Sequence, residues 1–150
     1  MLDANLLVLL IVGTVDKRRI ANHHRLNGFS ASDFDVLRDF LVGARTIIVT
    51  PNILTEASNL VGNPKNPSHR SYFEGLQAIV LHTESLTEIY VPSVQVLRQP
   101  AFRYLGLTDA GILELADRKA IVLSCDNRLV AECLLAGLQA TTFDRLRIGA

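Results

Sequence analysis

The stretch LTDAGILELADRKAIVLSCD, residues 107–126, decides how the rest of the chain is read. Its first half sets Thr108-Asp109 ahead of apolar Ile112, Leu113, Leu115 and Ala116, the pattern of a helix that opens on a carboxylate. Its second half, AIVL at 120–123, is short, β-branched and non-alternating, which predicts a strand covered on both faces of a parallel sheet. Asp126 follows that strand, and the carboxyl ends of strands are where open α/β sheets bind ligands. Two acids are thus expected near one another, one at a strand end and one at a helix start.

The same arrangement recurs elsewhere in the chain. Only two residues precede Asp3-Ala-Asn-Leu-Leu, room for no more than a very short strand, and Asn5 is the expected cap of the helix that follows. The run LLVLLIVG at 6–13 predicts a core helix. It lacks the flanking lysines and cleavage pattern of a signal peptide, and it falls short of the roughly 20 residues a bilayer requires. Residues 14–32 are the most basic stretch, with a turn at Asn27-Gly28. Ser30 or Ser32 then caps a helix carrying Phe34, Leu37 and Leu41 on one face. TIIVT at 46–50 predicts the next buried strand, closed by Pro51, with Asn52 capping a helix that holds Glu56 in its first turns. A loop at 62–69, a helix at 72–81, mixed helix and turn over 85–102, a helix at 128–136 ended by Gly137 and a strand at 139–143 complete the reading. Alternating strands and helices predict a single three-layer α/β domain over residues 1–150, with a mainly parallel sheet.

Composition narrows the function classes. With 150 residues, 49% of them hydrophobic and 20% charged, the chain builds one real core and is not disordered. Fifteen Lys plus Arg balance fifteen Asp plus Glu, so no global positive charge argues for nucleic acid, although a local basic patch remains open. Cys125 and Cys133 have neither metal-site spacing nor a disulfide framework, which points to a reducing cytoplasm. No GxGxxG follows the first strand, against a dinucleotide fold. Asp3-Ala4-Asn5 stands where a phosphoryl-accepting receiver domain would need a pair of acids.

Asp3, Glu56, Asp109 and Asp126 therefore come to one kind of place, beside strand ends. Singly, each has a plainer reading: a solvated terminus, an exposed helix glutamate, a helix cap and a turn residue. Together they would repel unless protonated or neutralised, and a hard divalent cation is the economical solution. A cation so held activates water toward a phosphodiester. His23, His24, His69 and His82 lack ligand spacing and are expected at the surface or on phosphate. Lys17, Arg18, Arg19 and Arg25 form a solvated face or hold an RNA backbone. Arg128, just past Asp126, is best placed for a substrate phosphate.

In order and local context, Asp3-Ala-Asn-Leu-Leu, Thr50-Pro51 with Leu54-Thr55-Glu56, Thr108-Asp109 with residues 112–116, and Ser124-Cys125-Asp126 resemble the PIN domain, the group that includes VapC-type toxins. The resemblance spans nearly the whole chain. It implies a Mg2+- or Mn2+-dependent ribonuclease with Asp3, Glu56, Asp109 and Asp126 as the acidic site. Asp3, Asp109 and Asp126 would be the metal ligands, with Asn5 and Ser124 supporting them. A homodimer and, for a toxin, an inhibitory antitoxin would be its protein partners. The alternative is a PIN-like domain that has lost catalysis and binds RNA or protein.

Overall fold

An aspartate followed after two residues by seven apolar residues and a glycine can cap and then bury a helix, and the chain uses both properties. In the computed structural model, which describes residues 1–116 and 120–149, Asp3 is extended and its carboxylate accepts from the Leu6 N–H, capping α1 (Ala4–Asp16). The cap is thus Asp3. Asn5, the expected cap, already lies in the first turn. Leu6, Leu7, Val8, Leu9, Ile11 and Val12 have no exposed surface. A helix apolar all round needs cover on every side, and α2 (Ala31–Val42), α3 (Pro51–Val61) and α4 (Arg70–His82) all pack on α1.

Ser30 and Asp33 form a reciprocal capping box at α2. Thr50 caps α3 with Pro51 in its first turn, so Asn52 is inside the helix and not its cap. Proline is suited to that position, where its missing N–H would have had no helical partner.

Strand β1 (Ile47–Val49) pairs in parallel with β2 (Leu86–Glu88). The second of these lies where only helix and turn were expected. It is half-exposed to exposed along its length, so it has no continuous apolar run to announce it. A short helix α5 (Ser93–Val96) leads to α6 (Phe102–Leu115), which breaks at Gly106, φ 82° and ψ −179°. Strand β3 (Ile121–Ser124) pairs in parallel with β4 (Gln139–Thr142), on either side of α7 (Asn127–Leu135). A last helix, α8 (Phe143–Ile148), was not foreseen. Arg147 anchors it by pairing with Asp33 at 2.8 Å and covering the Phe29 and Phe143 rings.

The amino-terminal residues join the two strand pairs. The Leu2 N–H donates to the Ile48 carbonyl at 3.3 Å, the Asp3 N–H to Leu123 at 3.3 Å, and the Leu123 N–H to Met1 at 3.0 Å. Leu2 and Leu123 bridge in the parallel sense. The fold is mixed α/β with short parallel strands, and the shared direction brings Asp3, Thr50 and the segment after Ser124 to one edge. Among the described residues no helix is long and apolar enough to cross a membrane.

Candidate functional site

Asp3 is the buried centre of that edge, 4% exposed. Its Oδ1 accepts from the Leu6 N–H at 2.8 Å, and its Oδ2 accepts from the Ser124 hydroxyl at 2.5 Å and the Cys125 N–H at 2.8 Å. Burial pushes its carboxyl up from the usual range, while those three donors and the nearby Asp126 charge act in opposite directions on it. Ser124 is fully buried and links two acids: its hydroxyl donates to Asp3 and accepts from the Asp126 N–H at 2.9 Å. Asp126 in turn caps α7, its Oδ1 taking the N–H groups of Arg128 at 2.7 Å and Leu129 at 3.3 Å. It is the helix cap and the site candidate at once, so the plainer reading and the functional one do not compete.

Asp109 reaches the edge from α6, in the first turn after the Gly106 break. That break is why a residue well inside one long helix still behaves as a helix opener. Burial is the largest cause that raises its carboxyl to about 7, followed by the charges of Asp3, Glu56 and Asp126. Glu56 stands half-buried on α3, which packs against α6. Asp3, Glu56 and Asp126 are therefore all in electrostatic reach of Asp109. They do not close on a point: among the described residues no three His, Cys, Asp or Glu side chains stand together as a cation cage. The donor chemistry suits a hard cation, and Asp3 Oδ1 keeps one lone pair beyond the Leu6 bond. Asp126 uses Oδ1 for its cap, which leaves Oδ2 to face a ligand.

No protein family, curated protein or solved structure matches the chain.

The remaining candidates fall elsewhere. Lys17, Arg18 and Arg19 lie in a 3-10 helix, Lys17–Asn22, beyond the far end of α1, and a thirteen-residue helix separates its ends by about 20 Å. Lys17 pairs with Asp35 at 2.5 Å, Arg18 with Asp16 at 2.9 Å, and Arg19 donates to Ser71. The most basic stretch is thus held locally and away from the acids. His23 corrects the expectation of a surface histidine. It is 6% exposed, its Nε2 lies 3.0 Å from the Val61 carbonyl, and its Nδ1 accepts from the Arg25 N–H. Those partners require the neutral Nε2–H tautomer, and burial lowers the pKa of the ring. His69 accepts from the Asn63 N–H, and His82 ends α4.

Arg128 is exposed on the first turn of α7, next to the acids. Cys125 contributes its backbone N–H. Although the residue is exposed, its thiol is shielded, and burial with the Asp3 charge pushes it up to about 12. A thiol held protonated is no nucleophile.

Proposed function

We propose that this chain is a PIN-like endoribonuclease, a three-layer α/β domain around a mainly parallel sheet that hydrolyses RNA with Mg2+ or Mn2+. The observation that carries the reading is Asp109, whose carboxyl is raised to about 7 by burial and by Asp3, Glu56 and Asp126 together. Each of those three acids raises it further, and a strongly perturbed acid beside others is a mark of functional sites. A bound divalent cation would supply the missing charge, polarise the phosphoryl group and lower the pKa of water. Asp3 is oriented for ligation by Leu6, Ser124 and Cys125, Asp126 by its capping bonds, and Asp109 by α6. Glu56 completes the acidic set from α3, and Arg128 takes a substrate phosphate.

The fit is one of donor type and charge. The acids must draw inward by side-chain rotation to chelate, which repulsion opposes until a cation arrives.

Partners follow in the same reading. Val42, Leu135 and Ile148 are 80%, 82% and 87% exposed, apolar surface that a homodimer would cover. A hollow of about 380 Å³ lined by Leu7, Leu10, Leu41, Ile79 and Leu86 suits an apolar segment of an antitoxin, should the chain be a toxin. Free Cys125 and Cys133 favour the cytoplasm.

Cleavage of labelled single-stranded RNA with Mg2+ or Mn2+, against EDTA, tests the proposal. Metal-dependent cutting is expected, reduced by about a hundredfold or more in Asp109→Asn and Asp126→Asn. RNA binding that ignores the cation, with no cutting, would favour the inactive binding module instead.

A further inference from the structure

At the end of α1 away from the acids, basic residues gather around one buried ring. Arg19 places its guanidinium 5.5 Å from the centre of the Tyr72 ring and donates to the Ser71 hydroxyl at 2.9 Å. Buried His23 meets the same ring edge-on at 5.5 Å, accepts the Arg25 N–H on Nδ1 at 3.3 Å and stacks on exposed His24 at 4.8 Å. His69 approaches Tyr72 at 5.9 Å, and its Nδ1 accepts from the Asn63 N–H at 2.9 Å. The Asn63 side chain in turn holds the Lys65 N–H at 2.9 Å. Rings and hydrogen bonds thus fix the Arg19 guanidinium and the backbones of Arg25 and Lys65 about Tyr72, and all three basic residues are exposed. Their neighbours are neutralised: Lys17 by Asp35, Arg18 by Asp16 and Arg70 by Glu74 at 3.2 Å. Among the described residues Arg19, Arg25 and Lys65 form no ion pair. The chain carries no net charge, so this positive excess is local.

We infer that this face holds the phosphate backbone of RNA, as an anchor separate from the acidic edge. The choice of RNA as the polyanion rests on the nuclease reading of that edge. A guanidinium is a planar fork of donors that matches a phosphate. The Ser71 bond and the Tyr72 ring order the Arg19 fork before a ligand arrives, so binding has less freedom to remove. None of the large exposed apolar side chains belongs to segments 17–25 or 62–72, and such side chains are what a surface needs to enter a lipid interface. The separation fits a strand. Stacked nucleotides advance about 3.4 Å each, so about six of them cover the roughly 20 Å length of α1.

Anisotropy of a labelled twelve-nucleotide oligouridylate, in EDTA so that nothing is cut, reads the anchor over roughly 50 to 200 mM KCl. Each phosphate contact to a single strand adds about 0.7 to the steepness of log K against log salt. Arg19→Gln/Arg25→Gln/Lys65→Gln should therefore lower that slope by about 2 and weaken binding at low salt. Arg45→Gln/Arg98→Gln/Arg145→Gln removes the same charge from exposed arginines in other parts of the chain and should leave the slope nearly unchanged. Arg19→Lys/Arg25→Lys keeps the charges and should keep the slope, which separates phosphate contact from a general loss of structure. An equal fall in the control, an unchanged slope in the first triple variant, or no binding of oligouridylate, whether or not phosphatidylserine vesicles bind, would overturn the anchor. The two readings fail separately. A slope that falls in the first triple variant, with no cutting of RNA by the wild type in Mg2+ or Mn2+, removes the nuclease and leaves the anchor. Metal-dependent cutting with an unchanged slope does the reverse.

Discussion

Asp109 is where a single residue's physics reports on the whole site. Its carboxyl holds a proton to about 7 in the folded chain, against an ordinary 3.8, so the folded state binds that proton more tightly than the unfolded one. Stability from this group is then full below pH about 4 and falls as pH rises to about 7, where the folded carboxyl finally ionises among its neighbours. Asp109→Asn removes the burden. Allowing for partial solvent screening, the variant should be more stable than the wild type by about 2 kcal/mol at pH 8 and equal to it near pH 4. Urea midpoints across that range measure it, and parallel curves for the two proteins would mean that Asp109 does not sit among charged acids. His23 titrates with the opposite consequence, since its lowered pKa makes acid cost stability as pH drops below the histidine range.

At the scale of elements, α1 and α2 meet at a glycine. A Cβ at Gly13 would stand 2.0 Å from Cδ2 of Phe34, whose ring is only 5% exposed and has little room to retreat. Helix propensity alone would favour alanine by about 1 kcal/mol, so the two effects oppose and the clash should win. Gly13→Ala is expected to lose about 2–3 kcal/mol, read from the urea midpoint, with part of the loss recovered in the double variant Gly13→Ala/Phe34→Leu. A neutral or stabilised Gly13→Ala would show that the helices are farther apart. Elements also explain the uneven legibility of the chain. Helix α4 and strand β1 were plain because their apolar residues follow one period. Strand β2 was hidden because it is solvent-facing and three residues long, and α8 because its docking depends on Arg147 reaching Phe29 and Asp33, far away in sequence.

For the whole molecule, a cation that binds the acidic edge must stabilise the fold, because the unfolded chain has no such edge. At a free Mg2+ or Mn2+ concentration ten times its Kd, mass action contributes about 1.4 kcal/mol, or roughly 3–6 °C in Tm for a chain of this size. The shift should appear at pH 8, shrink below about pH 7 as Asp109 takes up its proton, and vanish in Asp109→Asn. An equal shift from NaCl at matched ionic strength would reduce it to screening of surface charge. The balanced net charge, fifteen basic against fifteen acidic residues, makes such a control clean.

From sequence alone, the alternation of apolar runs and polar breaks determined an α/β chain, its buried α1, and the strand ends after which Asp3, Glu56 and Asp126 follow. Periodicity suffices there because burial is local to each element's face. Tertiary packing alone set the company each residue keeps: Leu2 bonds to Ile48 while Met1 and Asp3 bond across to Leu123, Ser124 ties Asp3 to Asp126, and the basic 3-10 helix stands at the far end of α1. Those contacts join residues far apart in sequence. Their closure depends on how helices and strands pack around α1, and no spacing along the chain encodes that distance.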